Sequence, residues 1–74
     1  MKLSRAKRFL AAESLTQGLT IMHTGMHYIW KAANYWGKQG GMTENEVKFT
    51  RAKLKQMEET MREIKRVEQK CRHR

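Results

Sequence analysis

Two histidines one helical turn apart, His23 and His27, come nearest in this chain to the spacing of a chemical site. On a helix, imidazoles at i and i+4 can share one metal ion. Two ligands are too few for a structural site, no carboxylate or thiol follows in register, and the third histidine, His73, stands at the other end of the chain. No metal and no other cofactor is therefore expected. The material for catalysis is equally thin. Ser4 and Ser14 have no aspartate to orient a histidine beside them, because the sequence contains none, and it has no Gly-rich phosphate loop, CxxC or HExxH. Neither an enzyme nor a small-molecule substrate is expected.

What the histidines offer instead is a surface. His23, His27, Trp30 and Asn34 step by four, three and four residues, which on a helix is a line turned away from the main apolar seam. Tryptophan anchors protein interfaces and stacks on bases, so His23, His27 and Trp30 are candidate partner contacts. The competing expectation is that a second helix or subunit covers Trp30 and makes it a rim residue of the core.

Charge supplies the strongest hint of a partner. Sixteen Lys and Arg against seven Glu give a formal net charge of +9 and a pI near 10.2. Lys2, Arg5, Lys7 and Arg8 at one end, with Lys65, Arg66, Lys70, Arg72 and Arg74 against Glu68 at the other, account for +8 of it. Folding back in the middle brings both clusters to one pole, so Arg5, Lys7, Arg8, Lys65, Arg66, Lys70, Arg72 and Arg74 are the candidate phosphate-binding residues. A further stripe, Lys48, Arg51, Lys55, Arg62, Arg66 and Lys70, follows one outer face of the second half and is interrupted by Glu58, Glu59 and Glu63. The expected function is a small non-catalytic regulatory or accessory protein that binds nucleic acid through basic bundle surfaces. The alternative is a protein-binding module, an adaptor or a virus-encoded inhibitor, docked on an acidic protein surface.

The elements that must position these residues are two helices. Ala12, Leu15, Leu19, Met22, Met26, Ile29, Ala33 and Trp36 alternate steps of three and four, a seam repeating every seven residues. Beside it runs a row of small residues, Ala11, Gly18, Gly25 and Ala32, and on the other flank Ser14, Ile21, Tyr28 and Tyr35. A helix apolar over so much of its circumference needs more than one neighbour. Glycine in a helix interior costs about 1 kcal/mol relative to alanine, and a close backbone approach at Gly18 and Gly25 would explain why this helix accepts two.

In the second half Thr43 and Glu46 form a capping box ahead of Val47. A narrower seam of Val47, Thr50, Leu54, Met57, Met61, Ile64 and Cys71 follows, with Glu68 at one core position and Phe49 and Val67 widening it. Glu44–Lys48, Glu58–Arg62 and Glu68–Arg72 are favourable i,i+4 pairs. The expected boundaries are helix 1 over about 4–36, a turn over 37–42 in which Gly37 ends the first helix, and helix 2 over about 43–71. Proline is absent, and the connection is short enough to force an antiparallel return.

A 74-residue hairpin buries little, so a homodimer forming a four-helix bundle is expected, with Leu15, Gly18, Leu19, Met22, Gly25, Met26 and Ile29 at the interface. Such helices are too long for a trihelical DNA reader, and four N-terminal basic residues are too few for a basic-zipper recognition helix. The lone Cys71 fits a reducing compartment. Glu13 stops the apolar run after Phe9 too early for a signal peptide, and polar residues interrupt the stretch from Leu15 to Trp36, so membrane association is not expected and a cytoplasmic location is.

Overall fold

The computed structural model describes residues 3–73, so Lys2 and Arg74 of the expected basic pole lie outside the described residues. The chain is all-helical and forms a two-helix hairpin 54 Å long and 16 Å across. Helix α1 spans Arg5–Lys31 and helix α2 spans Glu44–Arg72, joined by a π-helical turn, Ala32–Trp36, and a 3₁₀ turn, Gly37–Gln39. No helix among the described residues is long and apolar enough to cross a membrane.

Each helix starts with a side-chain cap. Ser4 Oγ accepts from Lys7 N at 3.4 Å, and the Thr43–Glu46 capping box closes in both directions, Thr43 N to Glu46 Oε1 at 2.8 Å and Glu46 N to Thr43 Oγ1 at 3.1 Å. The bond from the Thr43 amide, with one from its hydroxyl region, holds the Glu46 carboxyl below its ordinary range.

The α2 seam follows the expected heptads: Val47, Thr50, Leu54, Met57, Met61, Ile64, Glu68 and Cys71 are all buried or half-buried. Phe49 and Val67 fall outside it and are exposed. On α1 the seam runs from Ala12 to Ala33, and Leu15, Leu19, Met22, Met26 and Ile29 are half-buried within a single chain. Among the described residues only Ala12, Ala33 and Leu54 are buried apolar side chains, and no large side chain is fully enclosed.

The closed end departs from the sequence-based expectation in two places. Gly37 does not end the helix with a left-handed residue; its φ is −59°, and its N–H reaches back to Ala32 O in a π-type bond. The left-handed residue is Gly40, at φ 90°. Gly37 is glycine for want of space, since a Cβ there would lie 2.8 Å from Val47 Cγ2 and 3.3 Å from Ala32 O. The π turn fits one residue too many into its circuit, and this carries Trp36 off the seam, where it is exposed and stacks edge-on with Tyr35 at 4.8 Å.

Candidate functional site

The two helices meet along a narrow seam, so an open groove of about 810 Å³ runs down one side of the hairpin. Its α1 wall repeats every three or four residues, from Thr16 and Thr20 through His23 and His27 to Trp30. Its α2 wall carries Glu58, Arg62, Lys65 and Glu68, two acids and two bases, and its floor is apolar, formed by Leu19, Met26, Leu54 and Met61. The sequence-predicted contacts His23, His27 and Trp30 thus share one groove with Lys65. Trp30 is 55% exposed.

The threonine wall is held by its own helix. Thr20 Oγ1 donates to Thr16 O at 2.9 Å and Thr24 Oγ1 to Thr20 O at 3.2 Å, so both hydroxyl protons are taken up by the helix backbone. Asn34 is anchored too, with Nδ2 donating to Trp30 O at 3.1 Å and Oδ1 accepting from Arg51 Nε at 2.7 Å. Asn34 therefore fixes Arg51 beside the closed end of the groove. Glu44 pairs with Lys48 at 3.7 Å, whereas Glu58 and Arg62 make no ion pair with each other and both line the groove.

At the open end a second cleft of about 500 Å³ is lined by Arg8, Arg66, Gln69, Lys70 and His73, with no acidic side chain in its lining. Arg8 Nη2 donates to Lys70 O at 3.0 Å and bridges the two helices. Of the candidate phosphate contacts, Arg8, Arg66 and Lys70 are thus brought together, Lys65 faces the groove, and Arg5 and Lys7 are exposed on the first turns of α1.

Arg72 lies at the surface but is engaged by partners of its own chain. Its Nε donates to Glu68 Oε2 at 2.8 Å, its Nη2 to Thr16 Oγ1 at 2.7 Å, and its Nη1 lies 2.9 Å from Glu13 Oε1. The guanidinium also sits 5.9 Å from the centre of the Phe9 ring. Thr16 Oγ1 lies 2.8 Å from Glu68 Oε2 and 3.0 Å from Ala12 O, so its single proton is shared between two acceptors. This network explains an acid at a core position of α2. The bonds from Arg72 and then Thr16 hold the Glu68 carboxyl below its ordinary range, and Glu68 and Glu13 raise the Arg72 guanidinium in turn.

The Glu68–Arg72 pair is visible in the sequence as an i,i+4 spacing, but its closure by Glu13 and Thr16 depends on the phase at which α1 meets α2. His73 and Gln69 enter the basic cleft for the same reason. Among the described residues no three His, Cys, Asp or Glu side chains come close enough together to hold a metal ion. The arrangement ties the Thr16 hydroxyl and the Glu68 carboxylate into the Arg72 network. What it leaves open is an aromatic ring above an apolar floor, flanked by acids and bases, with a basic cleft beyond it.

No protein-family model, no curated protein and no solved structure matches the chain. The functional reading therefore rests on the groove and the basic end alone.

Proposed function

We propose that the chain is a small, non-catalytic regulatory or accessory protein that pairs with itself into a four-helix bundle and binds nucleic acid along the groove and basic cleft of each hairpin. The observation that carries this reading is the placement of Trp30, His23 and His27 opposite a mixed wall of Glu58, Arg62, Lys65 and Glu68, with Arg8, Arg66 and Lys70 gathered in a basic cleft at the open end. Arg62 and Lys65 lie between Glu58 and Glu68 in the groove, and the basic cleft beyond them suits a phosphate backbone, with the Trp30 ring exposed for base stacking. Support for pairing comes from the thin core and from the apolar side that one hairpin leaves bare, where Ile21 and Tyr28 are exposed on α1. A cytoplasmic location fits a polyanionic partner and an unpaired Cys71.

A titration of the folded protein with single-stranded and duplex DNA and RNA at several salt concentrations tests the reading. With about six phosphate contacts per dimer, log K should fall against log salt with a slope near −5 on duplex, at roughly −0.9 per contact, and near −4 on single strands, at roughly −0.7. Arg8→Gln, Arg66→Gln and Lys70→Gln together should flatten that slope. No binding at 50 mM salt by a folded sample overturns the proposal.

One observation favours the alternative, an adaptor or virus-encoded inhibitor docked on an acidic protein. The floor beneath Trp30 is apolar, as in grooves that accept a partner helix. That reading makes Trp30→Ala more damaging than the loss of the three bases, and it makes binding less dependent on salt.

A further inference from the structure

The two long sides of the hairpin differ in kind. One is the groove, with Glu58, Arg62, Lys65 and the histidines. On α1 the helical rows turned away from that groove run from Ala11 to Tyr35 without a charged residue, and they expose Ile21 at 72% and Tyr28 at 67%. Spacing along α2 brings Phe49 and Val67 to the same side, exposed at 64% and 51%. Lys53 is the cation beside them, with its Nζ 5.4 Å from the centre of the Phe49 ring. In this setting Gly18 and Gly25 face open space, since a Cβ built on either meets nothing within 4 Å. Two interior glycines weaken α1, and the hairpin by itself draws no packing from them.

The exposed area says how large a missing neighbour would be. The chain exposes 6344 Å², whereas a compact protein of its mass exposes about 4,800 Å². A globule of twice the mass exposes about 7,900 Å², so two separate hairpins must lose on the order of 4,000–5,000 Å² to reach ordinary compactness. That lies in the range of obligate homodimers, roughly 2,000–5,000 Å².

Charge decides the orientation. Side by side and parallel, two hairpins would place their basic ends together. Antiparallel, the ends sit a full 54 Å hairpin length apart, many times the screening length of about 8 Å in physiological salt. The midpoint between Gly18 and Gly25 falls beside Ile21, near the middle of the helical run from Arg5 to Trp36.

We infer that this apolar face, uncharged along α1, seats a second copy of the chain, antiparallel, with the two α1 helices crossing closely between Gly18 and Gly25 and both grooves left open to the outside. The inference rests on the self-association proposed above and adds its face and its direction.

Light scattering and thiol cross-linking test the two separately. In a Cys71→Ser background, Ile21→Cys lies beside the two-fold axis and should form an interchain disulfide on mild oxidation, while Tyr35→Cys should not pair with itself. The double variant Ile21→Lys/Tyr28→Lys should weaken dimerisation at least a hundredfold, and Trp30→Lys should change it less than threefold. Circular dichroism on the same samples confirms helix. A wild-type chain that stays monomeric at 100 μM overturns self-association itself. A dimer indifferent to Ile21→Lys/Tyr28→Lys but broken by Trp30→Lys overturns only the face. Tyr35→Cys cross-linking to itself as readily as Ile21→Cys overturns only the antiparallel direction.

Discussion

Glu68 is the residue whose chemistry most directly ties the two helices together. It keeps its charge in a seam because Arg72 and Thr16 both donate to it, and those bonds depress its pKa below the ordinary 4.5. A depressed folded-state pKa means that the contribution to stability is complete above the unfolded value and is lost as pH falls through the folded one. Melting temperature should therefore hold steady from pH 7 to about 5 and drop below pH 4.5. Glu46 is depressed in the same direction by Thr43, so Glu68→Gln should reduce the acid slope without abolishing it. Circular dichroism melts of wild type and Glu68→Gln from pH 3 to 7 check this, and identical slopes would remove Glu68 from the account. Arg72→Gln should also lower stability at pH 7, because it leaves both Glu68 and Glu13 without their shared cation.

At the scale of elements, the closed end is held by space and caps. Gly37→Ala forces a Cβ to within 2.8 Å of Val47 Cγ2, and the β-branched valine has few rotamers to retreat into. A loss of about 1–3 kcal/mol is expected despite alanine's better helix propensity, read from urea melts. Thr43→Ala removes the cap acceptor for Glu46 N and should cost about 1 kcal/mol.

Much of this architecture can be read in the sequence. The α2 heptads, the anomalous Glu68 among them, and the Thr43–Glu46 box sit where their spacing puts them, because periodicity and capping are local properties. The π turn was not legible. An i→i−5 bond such as Gly37 N to Ala32 O has no residue signature, so the displacement of Trp36 and the true left-handed position at Gly40 could not be foreseen. The groove was half legible. The line His23, His27, Trp30 is a property of α1, but which face of α2 opposes it depends on how the two helices are rotated against each other.

At the scale of the whole molecule, a rod 54 Å long with three buried apolar side chains among its described residues has little to stabilise it alone. Mass action then predicts a melting temperature that rises with protein concentration, by several degrees between 2 and 200 μM. A melt that is sharp, reversible and independent of concentration over that range would mean that a single seam suffices.

The distance along the chain between paired residues has a further consequence. Rungs near the closed end join neighbours such as Asn34 and Arg51, 17 residues apart, whereas Thr16 and Arg72 are 56 apart. Loop closure is entropically cheapest at the first and hardest at the last, so the hairpin should zip from the Gly37–Thr43 end and open from the other. Amide hydrogen exchange would record that order as protection declining toward Ser4 and His73, with a plateau held by the Thr16–Glu68–Arg72 rung. The basic cleft of Arg8, Arg66 and Lys70 lies at the end that opens first. Its basic side chains can therefore part and meet again while the core around Leu54 stays folded.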